Sequence, residues 1–238
     1  MTADASTLGK EISEEELKSL SDGFEGAAPA EVLSWAVDEF GSEVALATGF
    51  GPEGCVLIAE LARVRPGARI FYLDTDLLFP ETYALIGELR ARYGVRFERR
   101  ASKLSLEAQA ARHGERLWET RPDECCRLRK VEPLREAFSG LRAWITAIRR
   151  EQTPARAGAR VVERDALYGL VKINPLAGWP SRDVWGYLVR HRVPYNPLHN
   201  RGYPSIGCAP CTTPVRIGED PRAGRWRGTA KTECGLHR

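Results

Sequence analysis

Residues 43–48, EVALAT, run into GFGPEG (49–54), then CVLIAELARVR (55–65), and RIFYLD follows at 69–74. An apolar run, a glycine-rich turn, an apolar run of helical length and a second apolar run read as strand, turn, helix, strand. The pattern repeats down the chain. Pro80 opens a helix that runs to Tyr93, with Gly94 as its C-terminal cap. VRFER (95–99) reads as a third strand, 104–112 and 123–138 as helices, RAWITAI (142–148) as a strand and VKI (171–173) as a short one. SRDVWGYLVRHR (181–192) reads as a helix opened by Ser181, and from about 193 the chain is rich in Pro, Gly and Arg with little periodicity. Such alternation predicts an α/β fold, a parallel sheet flanked by helices.

Ahead of this body, Ser13-Glu14-Glu15-Glu16 forms a capping box for a short acidic helix. Val32, Leu33, Ala36, Val37 and Phe40 recur at helical spacing, so residues 29–40 are expected to pack on the body. The expected organisation is an acidic helical arm (1–40), an α/β domain (41–200) and a C-terminal segment (201–238).

The 238 residues allow one large domain, or one with a tail. No run of 18 apolar residues is present, which excludes a membrane-spanning helix. The acidic, polar N-terminus is no signal peptide, so a cytoplasmic location is expected. The net charge of +3 is unevenly placed: residues 1–40 hold ten acidic and two basic side chains, a net of −8, so the remainder carries +11. A basic body suits an anionic ligand, although a solvated mixed surface also accounts for the charge.

In parallel sheets, ligands bind beyond the carboxyl ends of the strands. GFGPEG (49–54), DTDLLF (74–79) and RREQTP (149–154) fall there. The first can bring backbone N–H groups to a phosphate at a helix N-terminus, but it is neither GxGxxG nor a Walker A loop, and a plain tight turn explains it as well. Arg149 and Arg150 offer two guanidiniums for phosphate or sulfate oxygens, with a surface ion pair as the alternative.

The six cysteines say more. Cys125-Cys126 and Cys208-Ala209-Pro210-Cys211 make four thiols in two pairs, a set that suits an iron–sulfur cluster or structural zinc. Adjacent cysteines diverge, which fits the wider spread of irons in a [4Fe–4S] cubane better than one zinc ion. Cys55 sits in an apolar run and reads as core. Cys234 lies in a polar, basic stretch near the C-terminus, where Lys231, His237 and nearby arginines favour a nucleophilic thiolate. Composition alone leaves open an incidental cysteine.

With Cys125-Cys126, GYPSIGCAPC (202–211) and ECGLH (233–237) in that order, the chain resembles the assimilatory adenylyl-sulfate reductases, the [4Fe–4S] branch of the phosphoadenylyl-sulfate reductase family. LDTDLLFPETY, WITAIRREQTPAR, KINPLAGW, YNPLHNRGYPSIGC and GEDPRAGRW extend the resemblance from about residue 43 to the end. It implies an adenine-nucleotide α-hydrolase-like fold with a mobile tail, and a [4Fe–4S] cluster on Cys125, Cys126, Cys208 and Cys211. It further implies that the Cys234 thiolate attacks the sulfur of adenylyl sulfate, AMP leaves, and thioredoxin or a glutaredoxin-like dithiol releases sulfite from the thiosulfonate. His237 would stand beside the nucleophile. Lys130 would lie between cluster and substrate, and Arg222 and Arg225 would approach the phosphosulfate. Arg149 and Arg150 would form the turn at the nucleotide. The first nucleotide loop would be Thr48 to Glu53, with Phe50 and Gly51, and the second Leu73, Asp74 and Thr75. The family is often oligomeric.

Four residues depart from the family pattern: Gly49, Pro52 and Gly54 in the first loop, and Asp76 where glycine is usual. The Asp76 charge is expected to discourage a 3′-phosphate. Rival readings are reduction of phosphoadenylyl sulfate or of both substrates, an iron–sulfur tRNA thiolase, and a zinc-stabilised nucleic-acid binder. The thiolase reading needs an SGGxDS-like loop that 47–54 lack. The nucleic-acid reading lacks aromatic–basic repeats, so no nucleic-acid partner is expected.

Overall fold

The computed structural model describes residues 11–236. Its frame is a six-stranded sheet in the order β3-β2-β1-β4-β6-β5. The strands are β1 (Val44–Thr48), β2 (Ile70–Asp74), β3 (Phe97–Ala101), β4 (Ala143–Ile145), β5 (Val162–Arg164) and β6 (Val171–Ile173). Every pairing is parallel except that of β5 with β6. Between the strands run α3 (Pro52–Val64), α4 (Pro80–Tyr93), α5 (Leu106–His113), α6 (Leu117–Thr120), α7 (Pro122–Cys126) and α8 (Glu132–Ala137), and α9 (Ser181–Arg190) follows β6. Among the described residues no helix is long and apolar enough to cross a membrane.

The sheet is covered on both faces, and β1 shows how. Val44 and Leu46 enter the larger core with α3 residues such as Val56 and Leu57, whereas Ala45 turns to a second core of Phe71, Leu134, Phe138 and Trp144. Alternate side chains of one short strand serve two apolar layers, which is why its sequence is an unbroken apolar run.

The N-terminal helices α1 (Glu14–Gly23) and α2 (Pro29–Phe40) belong to this body, giving Leu17, Val32, Leu33, Ala36 and Phe40 to the larger core. The capping box forms: Ser13 N–H donates to Glu16 Oε2 at 2.8 Å and Glu16 N–H to Ser13 Oγ at 3.2 Å. The acidic arm is answered locally by basic side chains. Glu14 meets Arg164 at 2.8 Å, Asp22 meets Arg160 at 3.0 Å, and Glu25 meets Arg150 at 2.6 Å. Part of the charge asymmetry is thus discharged inside the molecule.

Three departures from the expected elements have local causes. Helix α3 starts at Pro52, not Cys55, because proline is pre-set for a first helical turn. The helix expected over 123–138 is interrupted by a π-helical turn, Arg127–Val131. Pro133 lacks the N–H that would bond the carbonyl of Arg129, and the widened turn before it absorbs that loss. Helix α9 does begin at Ser181, but no side chain caps it; the Ser181 N–H donates instead to Glu151 Oε2 at 2.8 Å.

Candidate active site

A cavity of about 620 Å³ opens beyond the carboxyl ends of β1, β2 and β4, and the loops from Pro204 to Leu236 wall its far side. At the end of β1, Thr48 Oγ1 accepts the Phe50 N–H at 3.1 Å. Phe50 takes a left-handed φ of 58° and turns its ring inward against Tyr72 and Phe97, both at 5.3 Å. Its ring therefore shapes the loop from below, while Thr48, Gly51 and Glu53 face the cavity. A Cβ at Gly54 would lie 2.6 Å from Thr48 Oγ1, so this departure from the family pattern makes room for the hydroxyl that fixes the loop.

Arg149 and Arg150 part company. Arg149 lines the cavity, donating to Glu53 Oε1 and Glu151 Oε2 at 2.8 Å each and to the Trp179 carbonyl at 3.0 Å. Arg150 faces the other way, with two hydrogen bonds to Glu25 at 2.6 and 2.7 Å and one to the Ala159 carbonyl at 2.7 Å. Arg149 lines the cavity and Arg150 does not; the Arg150 guanidinium fastens the loop after α1.

In the second loop Leu73 and Thr75 line the cavity, and Asp74 does not. The Asp74 carboxylate accepts from Tyr83 OH at 2.8 Å, Arg99 Nε at 2.7 Å and the Asp76 N–H at 2.9 Å. Burial resists its ionisation, but these donors prevail and hold its pKa below the usual value. Asp76 sits at φ 56°, a left-handed angle that accounts for glycine being usual there. Its carboxylate is shared by Arg99 at 2.5 Å and Arg129 at 3.0 Å. Asp76 thus carries two guanidiniums and does not line the cavity.

The cysteines gather from distant segments. Cys125 and Cys126 are buried in α7. The Leu78–Cys208 bridge and the Ala209 N–H to Leu77 carbonyl bond of 2.7 Å dock the Cys208–Cys211 turn on the β2–α4 loop. Burial pushes Cys125 up to about 11 and Cys211 up to about 12, and the charges of neighbouring cysteines among these four add to both shifts. Cys208 moves down: burial opposes its thiolate, but Lys130, the Thr75 hydroxyl at 3.3 Å and Arg225 outweigh it. Four reduced thiols in one neighbourhood are a donor set that fits a thiolate-ligated cluster. Among the described residues no three His, Cys, Asp or Glu side chains form a ready site for a single ion. Cys55 is fully buried in the larger core, as expected.

Cys234 lies half-buried on the cavity wall. Lys130, from the π-helical turn, shares that wall, and burial works against its charge. Electrostatic attraction to nearby cysteine sulfurs, Cys208 foremost, overcomes this and raises its pKa. Arg225 also lines the cavity, packed at 4.5 Å over the Trp226 ring and donating to Ser205 Oγ and the Ile206 carbonyl at 3.3 Å each. A Cβ at Gly207 would fall 2.2 Å from its guanidinium, so the glycine of SIGC gives Arg225 its place. Arg222 lies on the same wall and donates to the Thr232 carbonyl at 3.0 Å. His237 lies outside the described residues.

Several cavity residues carried no sequence signal. Arg156 and Glu233 pair at 3.2 Å although 77 residues separate them, and Trp226 stacks under both Arg225 and Lys231. His199 packs 5.4 Å from Trp185 on the cavity wall. Neither buried ring nitrogen makes a well-aligned hydrogen bond, although the Tyr203 backbone lies near. Burial lowers its pKa from 6.5. The unfolded chain then binds the extra proton, so stability is full above about pH 6.5 and falls as pH drops towards the depressed folded value. His199→Gln is expected to flatten Tm against pH below about 6.5, by at most one proton, about 1.4 kcal/mol per pH unit. An unchanged slope would rule out this assignment.

A parallel sheet with an arginine-lined cavity at its carboxyl edge and a cysteine fastened over it has the build of an α/β enzyme that handles an anionic ligand beside a thiol. The model of the phosphoadenosine phosphosulfate reductase domain matches residues 43–214. The chain is 50% identical over 222 residues to an adenosine 5′-phosphosulfate reductase of Salinibacter ruber, covering 93% of this chain and 88% of that protein. It is 48% identical over 229 residues to a phosphoadenosine 5′-phosphosulfate reductase of Gloeobacter violaceus, covering 95% of each. A crystal structure of phosphoadenylyl-sulfate reductase from Candida auris, a phosphate complex, superposes with a TM-score of 0.76 at 32% identity, covering 86% of this chain and 100% of that one. The chain belongs to the phosphoadenosine phosphosulfate reductase domain family.

Proposed function

We propose that this chain reduces adenylyl sulfate to sulfite and AMP, with Cys234 as nucleophile and thioredoxin or a glutaredoxin-like dithiol as reductant. The observation that carries the reading is the Cys234 thiol on the wall of a cavity that also presents Lys130, Arg222 and Arg225. A thiolate and several cations around one space are what transfer of a sulfonate group from a phosphosulfate needs. The Cys234 sulfur bonds to the sulfate sulfur as the sulfur–oxygen bond to AMP breaks, and the electron pair leaves on the AMP phosphate. A thiolate of the reductant then attacks Cys234 Sγ, releasing sulfite and forming a mixed disulfide, which the second thiol of the reductant resolves.

Thr48, Gly51, Glu53, Leu73, Thr75 and Arg149 line the nucleotide end in this reading. Cys125, Cys126, Cys208 and Cys211 would hold a [4Fe–4S] cluster. When bound, it would supply a structural tie between α7 and the Cys208–Cys211 turn and an electrostatic influence on nearby Lys130. Six reduced cysteines suit a reducing compartment such as the cytoplasm. A second reading, phosphoadenylyl sulfate as substrate, is favoured by the Gloeobacter relative that bears that name.

Anaerobic protein mixed with adenylyl sulfate and no reductant is expected to carry a sulfonate on the Cys234 peptide by mass spectrometry, and reduced thioredoxin is expected to release it as sulfite. Labelling by phosphoadenylyl sulfate alone would move the substrate to the second reading. Labelling by neither would overturn both.

A further inference from the structure

Glu233, one residue before Cys234, receives Arg156 Nη2 and Arg222 Nη2 at 3.2 Å each. Both arginines line the cavity, and the three side chains are 12%, 22% and 21% exposed respectively for Arg156, Arg222 and Glu233. Two guanidiniums converging on one carboxylate form an oxyanion site that the tail itself fills, since a carboxylate presents the same paired oxygens as a phosphate or sulfate. Arg222 Nη2 also holds the Thr232 carbonyl at 3.0 Å, and the tail's other fastenings do not use these arginines. Lys231 pairs with Asp123 and lies 5.4 Å over the Trp226 ring, and Leu236 packs against the second apolar core. An arriving anion therefore competes for the fastenings that Arg156 and Arg222 provide and leaves those of Lys231 and Leu236 in place.

We propose that Glu233 is a positioning residue that occupies Arg156 and Arg222 while the site is empty and yields them to the phosphosulfate of the substrate, so that the arriving anion re-seats the tail and Cys234 together. The proposal rests on the reading of this cavity as an adenylyl-sulfate site. It makes Glu233 a competitor of substrate in the resting protein and a shield for the empty-site thiol.

In a Cys234→Ser background, which keeps substrate intact, adding Glu233→Gln is expected to tighten adenylyl sulfate binding by about two- to fivefold in calorimetry, the range of a partly shielded ion pair. Glu233→Asp, which keeps the charge, is expected to bind close to the Cys234→Ser parent. With Cys234 intact, Glu233→Gln is expected to lower KM and kcat together and to speed iodoacetamide alkylation of Cys234 in ligand-free protein. A merely structural Glu233 would also change alkylation, but its loss would not tighten binding. Unchanged or weaker binding in Glu233→Gln overturns the proposal. No binding by the Cys234→Ser parent overturns the reading of the cavity, and the proposal with it.

Discussion

Cys234→Ser is expected to abolish sulfite formation, by ~10⁴-fold or more, as loss of a covalent nucleophile does, while adenylyl sulfate binding stays within about twofold of the parent. The two outcomes separate chemistry from recognition. A serine hydroxyl has nearly the same shape and could keep the tail's fastenings, none of which uses the sulfur: Glu233 to Arg156 and Arg222, Lys231 to Asp123, Leu236 in its apolar cluster. What it cannot supply is a sulfur that accepts a sulfonate and later yields it to a second thiol. The check is sulfite release with a reduced dithiol protein, beside calorimetric binding. Retained turnover in the serine variant would refute the thiosulfonate mechanism outright. Joint loss of binding and turnover would overturn the reading of the cavity as the substrate site.

How far the sequence carried the fold and the site depends on the range of each interaction. Ser13 with Glu16, Gly94 after α4, and the apolar runs of β1 and β2 were legible, because each rests on neighbours within a few residues. β5 is three residues, Val-Glu-Arg, at the sheet edge, too short and too polar for a periodic signal. The π-helical turn is written in the spacing of Pro133 to Arg129, a signal available beforehand but easily read as unbroken helix. The site was legible as a set of segments, not as a set of directions. Arg149 and Arg150 are adjacent, and nothing local says which faces the cavity; the answer depends on Glu53 and Glu25, from different parts of the chain. Asp74 and Phe50 belong to the right loops, yet one is taken by Arg99 and Tyr83 and the other by the core. Glu233 and Arg156 could be paired only once the fold had closed the distance between them.

The largest stability effect is expected at Arg129, which the sequence left unmarked. Its side chain is 1% exposed, and each nitrogen has a partner. Nε donates to Gln109 Oε1 at 2.8 Å, Nη1 to the Thr75 carbonyl and Asp76 Oδ2 at 3.0 Å each, and Nη2 to the Leu104 carbonyl at 3.2 Å. One guanidinium thereby joins the loop after β2, the start of α5 and the π-helical turn. Arg129→Met fills similar volume and donates nothing, stranding a buried amide oxygen and two carbonyls. Breaking a buried charge pair costs about 3–5 kcal/mol, and the 34% exposure of Asp76, with Arg99 still on it, points to the lower end. Tm is therefore expected to fall by roughly 6–12 °C for a chain of this size. Asp76→Gly should cost somewhat less: it leaves the buried Arg129 guanidinium without its carboxylate, but glycine relieves the left-handed φ of 56° and Arg129 keeps its three other acceptors. Differential scanning calorimetry of the two variants checks the order, and equal losses would mean that the Asp76 charge, not the uncharged acceptors, accounts for Arg129. The effect should reach the cavity as well. Lys130 follows Arg129 in the same turn and lines the cavity, so loosening Arg129 frees Lys130 from its place beside Cys208 and Cys234, and turnover should fall further than the remaining folded fraction explains.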